Sequence, residues 1–483
     1  MQRMTAESKA AGGYPQDSMA TDLPLIGFSL FIACVMTLML VEHPFATSQV
    51  ALAGIAIVSI VRWPILGITV IFFLGPLGEL QHFESGLSLV QIITLLLGVG
   101  LLVGLVTRRM SLRRTGLELR VVAFMLVYFI GAARDAIDPQ KLIGLLTMLG
   151  YPVMFILVLN LVRTRRHVGW VVGALAIATT LAAGTSILEE LVGFDPLVLL
   201  RGLEPVATAE VGPGLNRVLG FALDSNAAAY PFLISIPLFI AAAIVTRNRW
   251  FRGALVAVTC SATLGLVFTF SRSAYIAISI GLMFLLLNLE RRKSLRVVAA
   301  VFVFVALLFY VLPEGSLTAR FEEVPEQVGT MTDRWAHYQI AASQLLRNPL
   351  FGGGIELFRS EFEARFGSSG IAHSNLLDVA VNSGAVGLAA LLSMLVPYFR
   401  FVRRGIAIMP WSPLRYYAIG SCAGLVAFLV QGFFMVNMGW FLLWAMAAIP
   451  LCCIVATDED SASRSGPRLS PTLTAADAAP QSQ

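Results

Sequence analysis

The residues with the most to offer chemically gather around the run His373-Ser374-Asn375, at the end of a long polar stretch and just ahead of an apolar one. An imidazole, with a pKa near neutrality, accepts a proton from a hydroxyl group about to act as nucleophile. Arginines supply the complementary charge: Arg217 in NRVLGFALDSNAAAYP, Arg272 in FTFSRSAYIA, and Arg320 and Arg334 in the polar stretch itself. A guanidinium stays charged and its fork meets two phosphate oxygens at once, which suits a diphosphate. Arg272 stands between two apolar runs with almost no loop, and an ionisable group at membrane depth is costly enough to mark a functional position. Each residue also has a structural reading: a hydrogen-bonded histidine near a helix start, or arginines that snorkel or pair with Glu322, Glu323 or Asp333.

Glu322 and Glu323 are adjacent, so their side chains diverge on a helix, and neither a metal nor another cofactor is expected. Gly352-Gly353-Gly354 has no strand before it and no Lys-Ser after it, and reads as a flexible turn rather than a nucleotide loop. The cysteines (Cys34, Cys260, Cys422, Cys452, Cys453) all lie in apolar segments, as small hydrophobes do.

The elements that must position these groups are apolar. Of 483 residues, 57% are hydrophobic and only 13% charged, against about a quarter charged in soluble domains. The expected fold class is all-α: a polytopic transmembrane helix bundle of about 12–14 spans with one large, partly helical extracytoplasmic loop. The expected order is a cytoplasmic N-terminal tail (1–23), transmembrane helices with short loops (24–313), the large loop (314–379), further transmembrane helices (380–456) and a disordered cytoplasmic tail (457–483). Arginines recur in alternate loops, at 108–114, 163–166, 247–252, 291–296 and 400–415. By the positive-inside rule those loops and both termini are cytoplasmic, and the large loop, residues 191–227 and the turn at Ser271-Arg272 face outward. Such short basic clusters between apolar runs are a poor fit to a nucleic-acid groove, which needs its charges along one polar face. Within the large loop, apolar spacing predicts a helix over 333–347 (Trp335, Tyr338, Ala342, Leu345) and another over 355–366 (Ile355, Phe358, Phe362, Phe366).

The pattern resembles the bacterial O-antigen ligase and polymerase superfamily of membrane glycosyltransferases, over roughly residues 210–395. His373-Ser374, nine residues, then Gly384-Ala385-Val386-Gly387 is similar to the ligase signature. Arg334-Trp335, the turn from Asn348-Pro349 to Gly354, Ser271-Arg272, and Arg217 with Asn226 support it. Where the family commonly has a glutamate shortly before the glycine, this chain has Asn382. The resemblance implies metal-independent, inverting transfer of a glycan from undecaprenyl diphosphate to a hydroxyl of a lipid, glycan or protein acceptor, at the outer side of the bacterial inner membrane. It implies that His373 orients or deprotonates that hydroxyl, that Asn375 holds the histidine ring, and that Arg217, Arg272, Arg320 and Arg334 neutralise the departing diphosphate. Two alternatives stay open. Arg201 to Gly212 and Arg359 to Gly370 each fit the Arg, ten residues, Gly pattern associated with polymerases, which join lipid-linked repeats. A transporter of lipid-linked glycans is the other, although the chain lacks the internal repeats such proteins show.

Overall fold

The computed structural model describes residues 54, 57–81, 88–108, 110–133, 150–201, 210–212, 215–311, 328–367 and 372–465; of these, 199–201, 210–212, 215, 216, 304–311, 328–334 and 458–465 are described by backbone alone. The chain divides into two units, Met1–Trp63 and Pro64–Gln483. In the first, residues 57–62 are helical. The second is an all-α bundle. Its helices are α1 (Pro64–Leu74), α2 (Leu89–Val106), α3 (Glu118–Ala133), α4 (Gly150–Leu161), α5 (Arg165–Val192) and α6 (Pro196–Arg201), then α7 (Ser225–Ala228), α8 (Tyr230–Val245), α9 (Arg249–Phe268), α10 (Arg272–Asn288) and α11 (Arg291–Val311). They continue as α12 (Val328–Arg347), α13 (Ile355–Phe366), α14 (Asn375–Ile408), α15 (Pro413–Gln431) and α16 (Phe441–Ser465). A 3-10 stretch, Gly75–Gln81, follows α1, and a short antiparallel pair, β1 (Glu210–Gly212) and β2 (Leu215–Asn216), lies between α6 and α7.

Among the described residues, seven segments are long and apolar enough to cross a membrane: Pro64–Gln81, Leu89–Val106, Arg165–Val192, Ser225–Val245, Arg249–Phe268, Asn375–Ile408 and Pro413–Gln431. Gly150–Leu161, Arg272–Asn288 and Phe441–Thr457 are shorter apolar helices. The protein is therefore a multi-pass membrane protein. Its helix starts follow local chemistry: Ser88 and Gln91 form a capping box on α2, and Thr164, Asp224, Asn248 and Ser412 each accept a hydrogen bond from a first-turn amide.

Helix α8 (YPFLISIPLFIAAAIV) is apolar on every side and almost wholly buried, as a helix at the centre of a bundle must be. Helix α15 packs on it with glycines at the contact: a Cβ on Gly424 would stand 2.3 Å from the Ile234 carbonyl oxygen. Between membrane helices, small residues of this kind let backbones approach where no hydrophobic drive separates helix from lipid. Gly424→Leu is expected to push the two helices apart and destabilise the bundle by about 1–3 kcal/mol, seen as a lower thermal midpoint of the detergent-solubilised protein. An unchanged midpoint would mean that the helices do not meet there.

Basic loops meet at one end. Arg113 donates to the carbonyls of Val162 (3.2 Å) and Arg163 (3.3 Å), and Arg163 donates back to the Ser111 carbonyl (2.8 Å). Lys293 binds Glu290 at 3.0 Å and also reaches the Tyr416 hydroxyl at the start of α15.

In the large polar stretch, α13 lies where the spacing predicts. Helix α12 begins earlier and buries another face: Ala336, His337, Ile340, Ala341 and Gln344 are buried, whereas Trp335 is 63% exposed. Of the stripe expected from the sequence, Trp335 and Ala342 are exposed and Tyr338 and Leu345 half-buried, because smaller alanines permit the closer approach to Phe358, Phe362 and Val381.

Candidate active site

The long helix α14 starts at Asn375, ahead of its apolar run, so the end of the polar stretch forms its first turns. The helix is broken at Gly384, whose φ of 58° belongs to the left-handed region that favours glycine. The break frees backbone groups, and the Asn348 to Gly354 turn takes them up. Gly353 and Gly354 donate to the Val381 carbonyl (2.9 and 3.1 Å), while Ala385 and Val386 donate to Pro349 and Leu350 (2.9 and 3.1 Å). A Cβ on Gly352 would come within 2.3 Å of that Val381 oxygen. The glycine triple is thus a packed clasp on the broken helix, and it ties α12 and α13 to α14.

That clasp fixes the surroundings of His373. His373 precedes the N-cap Ser374 with a φ of 50°, in the left-handed region that Arg108 and Phe270 also adopt. Its ring meets the buried His337 ring edge-on at 4.6 Å, and His337 in turn lies 4.0 Å from Phe362. The first amide of α14, on Asn375, donates to the Gly432 carbonyl at 2.7 Å. The resemblance implies that Asn375 holds the His373 ring; in the structure its side chain pairs with Asn437. Its Nδ2 donates to Asn437 Oδ1 at 2.6 Å and its Oδ1 accepts from the Asn437 amide at 2.9 Å. Set on the inner side of the helix start, it pins residues 432–437 and acts as a positioning residue.

A line of polar groups leads from there to the arginines. Gln431, beside Gly432, donates to Ser273 (3.0 Å); Ser273 pairs with Ser271 (3.2 Å); Ser271 donates to Asn226 (2.8 Å), and Arg217 donates to the same Asn226 oxygen (3.3 Å). Arg272 follows Ser271 directly as the first residue of α10. Arg217 is held in place by its own neighbours. The Glu189 carboxylate accepts from the amides of Leu219 (2.8 Å) and Gly220 (2.7 Å), and Val218 donates to the Phe268 carbonyl (3.3 Å). The structure thus brings Arg217, Arg272, Asn375 and His373 to one end of the bundle, where α10 and α14 both begin and their amide-rich ends favour an anion. Arg320 lies outside the described residues, as does the side chain of Arg334.

The same helix start carries groups that the reading of the sequence missed. Asp378 is buried, accepts a hydrogen bond from the Tyr128 hydroxyl, and receives Asn382 Nδ2 at 3.2 Å. A glutamate in place of Asn382 would set a second carboxylate against Asp378, whereas the amide donates to it. Beside this group lies a cavity of about 340 Å³ lined by Glu79, Phe124, Tyr128, Tyr151, Asn437 and Trp440 among others. A carboxylate inside an apolar run, five residues after His373, was the available signal for Asp378. Tyr128, His337 and Asn437 carried none, since their importance comes from neighbours distant in sequence.

Residues 255–392 match the family model described as O-antigen ligase. No curated protein matches the chain significantly. Among solved structures, a chain of the work described as "Structural coordination of polymerization and crosslinking by a peptidoglycan synthase complex" is similar at a TM-score of 0.40 and 18% identity, over 71% of this chain and 98% of that one. The matched region holds the start and the break of α14, the clasp, His373 and Arg272, and over it the chain is similar to the O-antigen ligase family.

Proposed function

We propose that the protein is a membrane glycosyltransferase that moves a glycan from undecaprenyl diphosphate to an acceptor hydroxyl at the outer face of the bacterial inner membrane. The observation that carries this reading is the polar line from Arg217 and the start of α10 to the start of α14, two residues after His373. In the proposed step, His373 takes the proton of the acceptor hydroxyl as its oxygen bonds to the anomeric carbon. The bond from that carbon to the diphosphate oxygen breaks, and its electron pair leaves with the diphosphate. Arg217 and Arg272, with Arg320 and Arg334 from the large loop, neutralise the charge that develops, and the two helix starts add to the same field. No metal enters the step. The basic loops face the cytoplasm and the site lies at the other end of the bundle.

Ligase action on a finished glycan is the favoured form. Polymerisation of repeats is the second reading, favoured by the Arg, ten residues, Gly spacing at Arg201 to Gly212 and at Arg359 to Gly370. The test is the size profile of envelope glycans in a deletion strain. Long glycan on undecaprenyl diphosphate with none on acceptor is the expected result. Accumulated single repeats would show a polymerase, and no change in either pool would move the protein to transport of lipid-linked glycans.

A further inference from the structure

The cavity beside α14 has a composition that the transfer step alone does not require. Its walls carry the aromatic rings of Phe124, Tyr128, Tyr151, Tyr230 and Trp440, with Glu79 at one side. The rings are fixed by one another: Trp440 stacks on Phe428 at 5.2 Å with planes 12° apart, and Tyr230 lies 5.6 Å from Trp440. Glu79 is set by a turn at Gly78, where φ is 45° and a Cβ would stand 2.1 Å from the Phe221 carbonyl oxygen; the Glu79 amide donates to that oxygen at 2.8 Å. The fourth side is the 436–440 segment, which the Asn375 to Asn437 pair holds against α14.

The polar atoms are also arranged in a consistent sense. The proton of Tyr128 is committed to Asp378, and its phenol oxygen, which accepts a long contact from Asn382 Nδ2 at 3.5 Å, keeps acceptor capacity for a hydroxyl in the cavity. Glu79 is an acceptor when ionised. The cavity therefore presents ring faces and hydrogen-bond acceptors together. A pyranose matches both. Its axial C–H bonds lie well on the electron-rich face of an aromatic ring, and its hydroxyls donate to carboxylate and phenol oxygens. The nearby Glu79 and Asp378 disfavour a sugar that bears its own carboxylate. About 340 Å³ is near the lower end of the range of roughly 300–1,000 Å³ seen for ligand pockets, a scale suited to single rings rather than a polyprenyl chain.

We infer that this cavity is a subsite for one neutral pyranose ring, with Tyr128 and Glu79 as its hydroxyl acceptors, Trp440 as its stacking face, and Asp378 as the positioning residue that orients Tyr128. The inference rests on the glycan-transfer reading and adds the class of sugar that the site takes. The ring belongs either to the acceptor or to the donor glycan, and kinetics separate the two.

The experiment uses the full-length protein in detergent or nanodiscs. Saturation-transfer NMR with methyl glycosides of glucose, galactose and N-acetylglucosamine, and with glucuronate, reads binding without any turnover. The expected result is transfer of saturation to at least one neutral glycoside, none to glucuronate, and loss of the signal in Tyr128→Phe and in Trp440→Leu. In a transfer assay, Tyr128→Phe and Glu79→Gln raise the KM for one glycan substrate about tenfold, the effect of one lost hydrogen bond, and change inhibition by inorganic pyrophosphate little. A raised acceptor KM places the acceptor ring in the cavity; a raised donor KM places the donor ring there. Unchanged KM values together with no glycoside signal in the wild-type protein would overturn the inference. A glycoside signal in wild type that persists in Trp440→Leu and Tyr128→Phe would overturn it too. Should His373→Ala keep full transfer, the catalytic reading fails, while glycoside binding in that variant still reports on the cavity.

Discussion

Replacing His373 with alanine is expected to lower glycan transfer by about 10²–10⁴-fold, the range for loss of a positioned general base, with the protein still folded in the membrane. The residue stands before the N-cap of α14, so its removal leaves the helix, the Gly432 contact and the clasp in place. The backbone adds a control. A φ of 50° is adopted most readily by glycine and, among other residues, by asparagine. Alanine therefore adds a backbone cost to the chemical one. His373→Asn keeps the conformation while removing the base, and it is expected to lose transfer to a similar extent with a higher thermal midpoint than His373→Ala. Measuring turnover and midpoint for both variants separates the two effects. Transfer at the wild-type rate in either would remove His373 from the chemistry.

The second large effect is expected at Arg272. It begins α10 directly after Ser271, which shares the Asn226 oxygen with Arg217. If these guanidinium groups hold the departing diphosphate, Arg272→Ala lowers turnover by about 10²–10³-fold, as loss of one charge-stabilising donor does. Arg272→Lys restores only part of it, because an ammonium lacks the fork that meets two phosphate oxygens. The KM for the lipid-linked donor and inhibition by pyrophosphate distinguish this role from a structural one. The donor KM should rise in Arg272→Ala and Arg217→Ala, and pyrophosphate inhibition should weaken in both while staying near wild type in Tyr128→Phe. Equal pyrophosphate inhibition in all of these variants would sink the arginine role.

What the chain could say without a structure was decided by local chemistry. Apolar runs of spanning length and arginines in alternate loops determine an all-α membrane bundle, because every backbone polar group in lipid must be satisfied within its own helix. The rhythm of Ile355, Phe358, Phe362 and Phe366 places α13, whereas apolar character alone puts the next span at 380 and shows neither the start of α14 at Asn375 nor its break at Gly384. What remained illegible depends on partners far apart in sequence. Nothing in FMLVYFIGAA distinguishes Tyr128 until Asp378 is found against it, and the direction of the Asn375 amide is settled by Asn437, 62 residues on. The buried face of α12 went to Ala336, Ile340 and Ala341 rather than to Trp335, since close packing against Phe358 and Val381 rewards small side chains over large ones. The glycine triple shows the same division: its composition determines a turn, and only the broken helix beside it turns that turn into a clasp. Spacing along one helix is a property of the sequence; which carbonyl, carboxylate or ring lies across from it is a property of the packed fold.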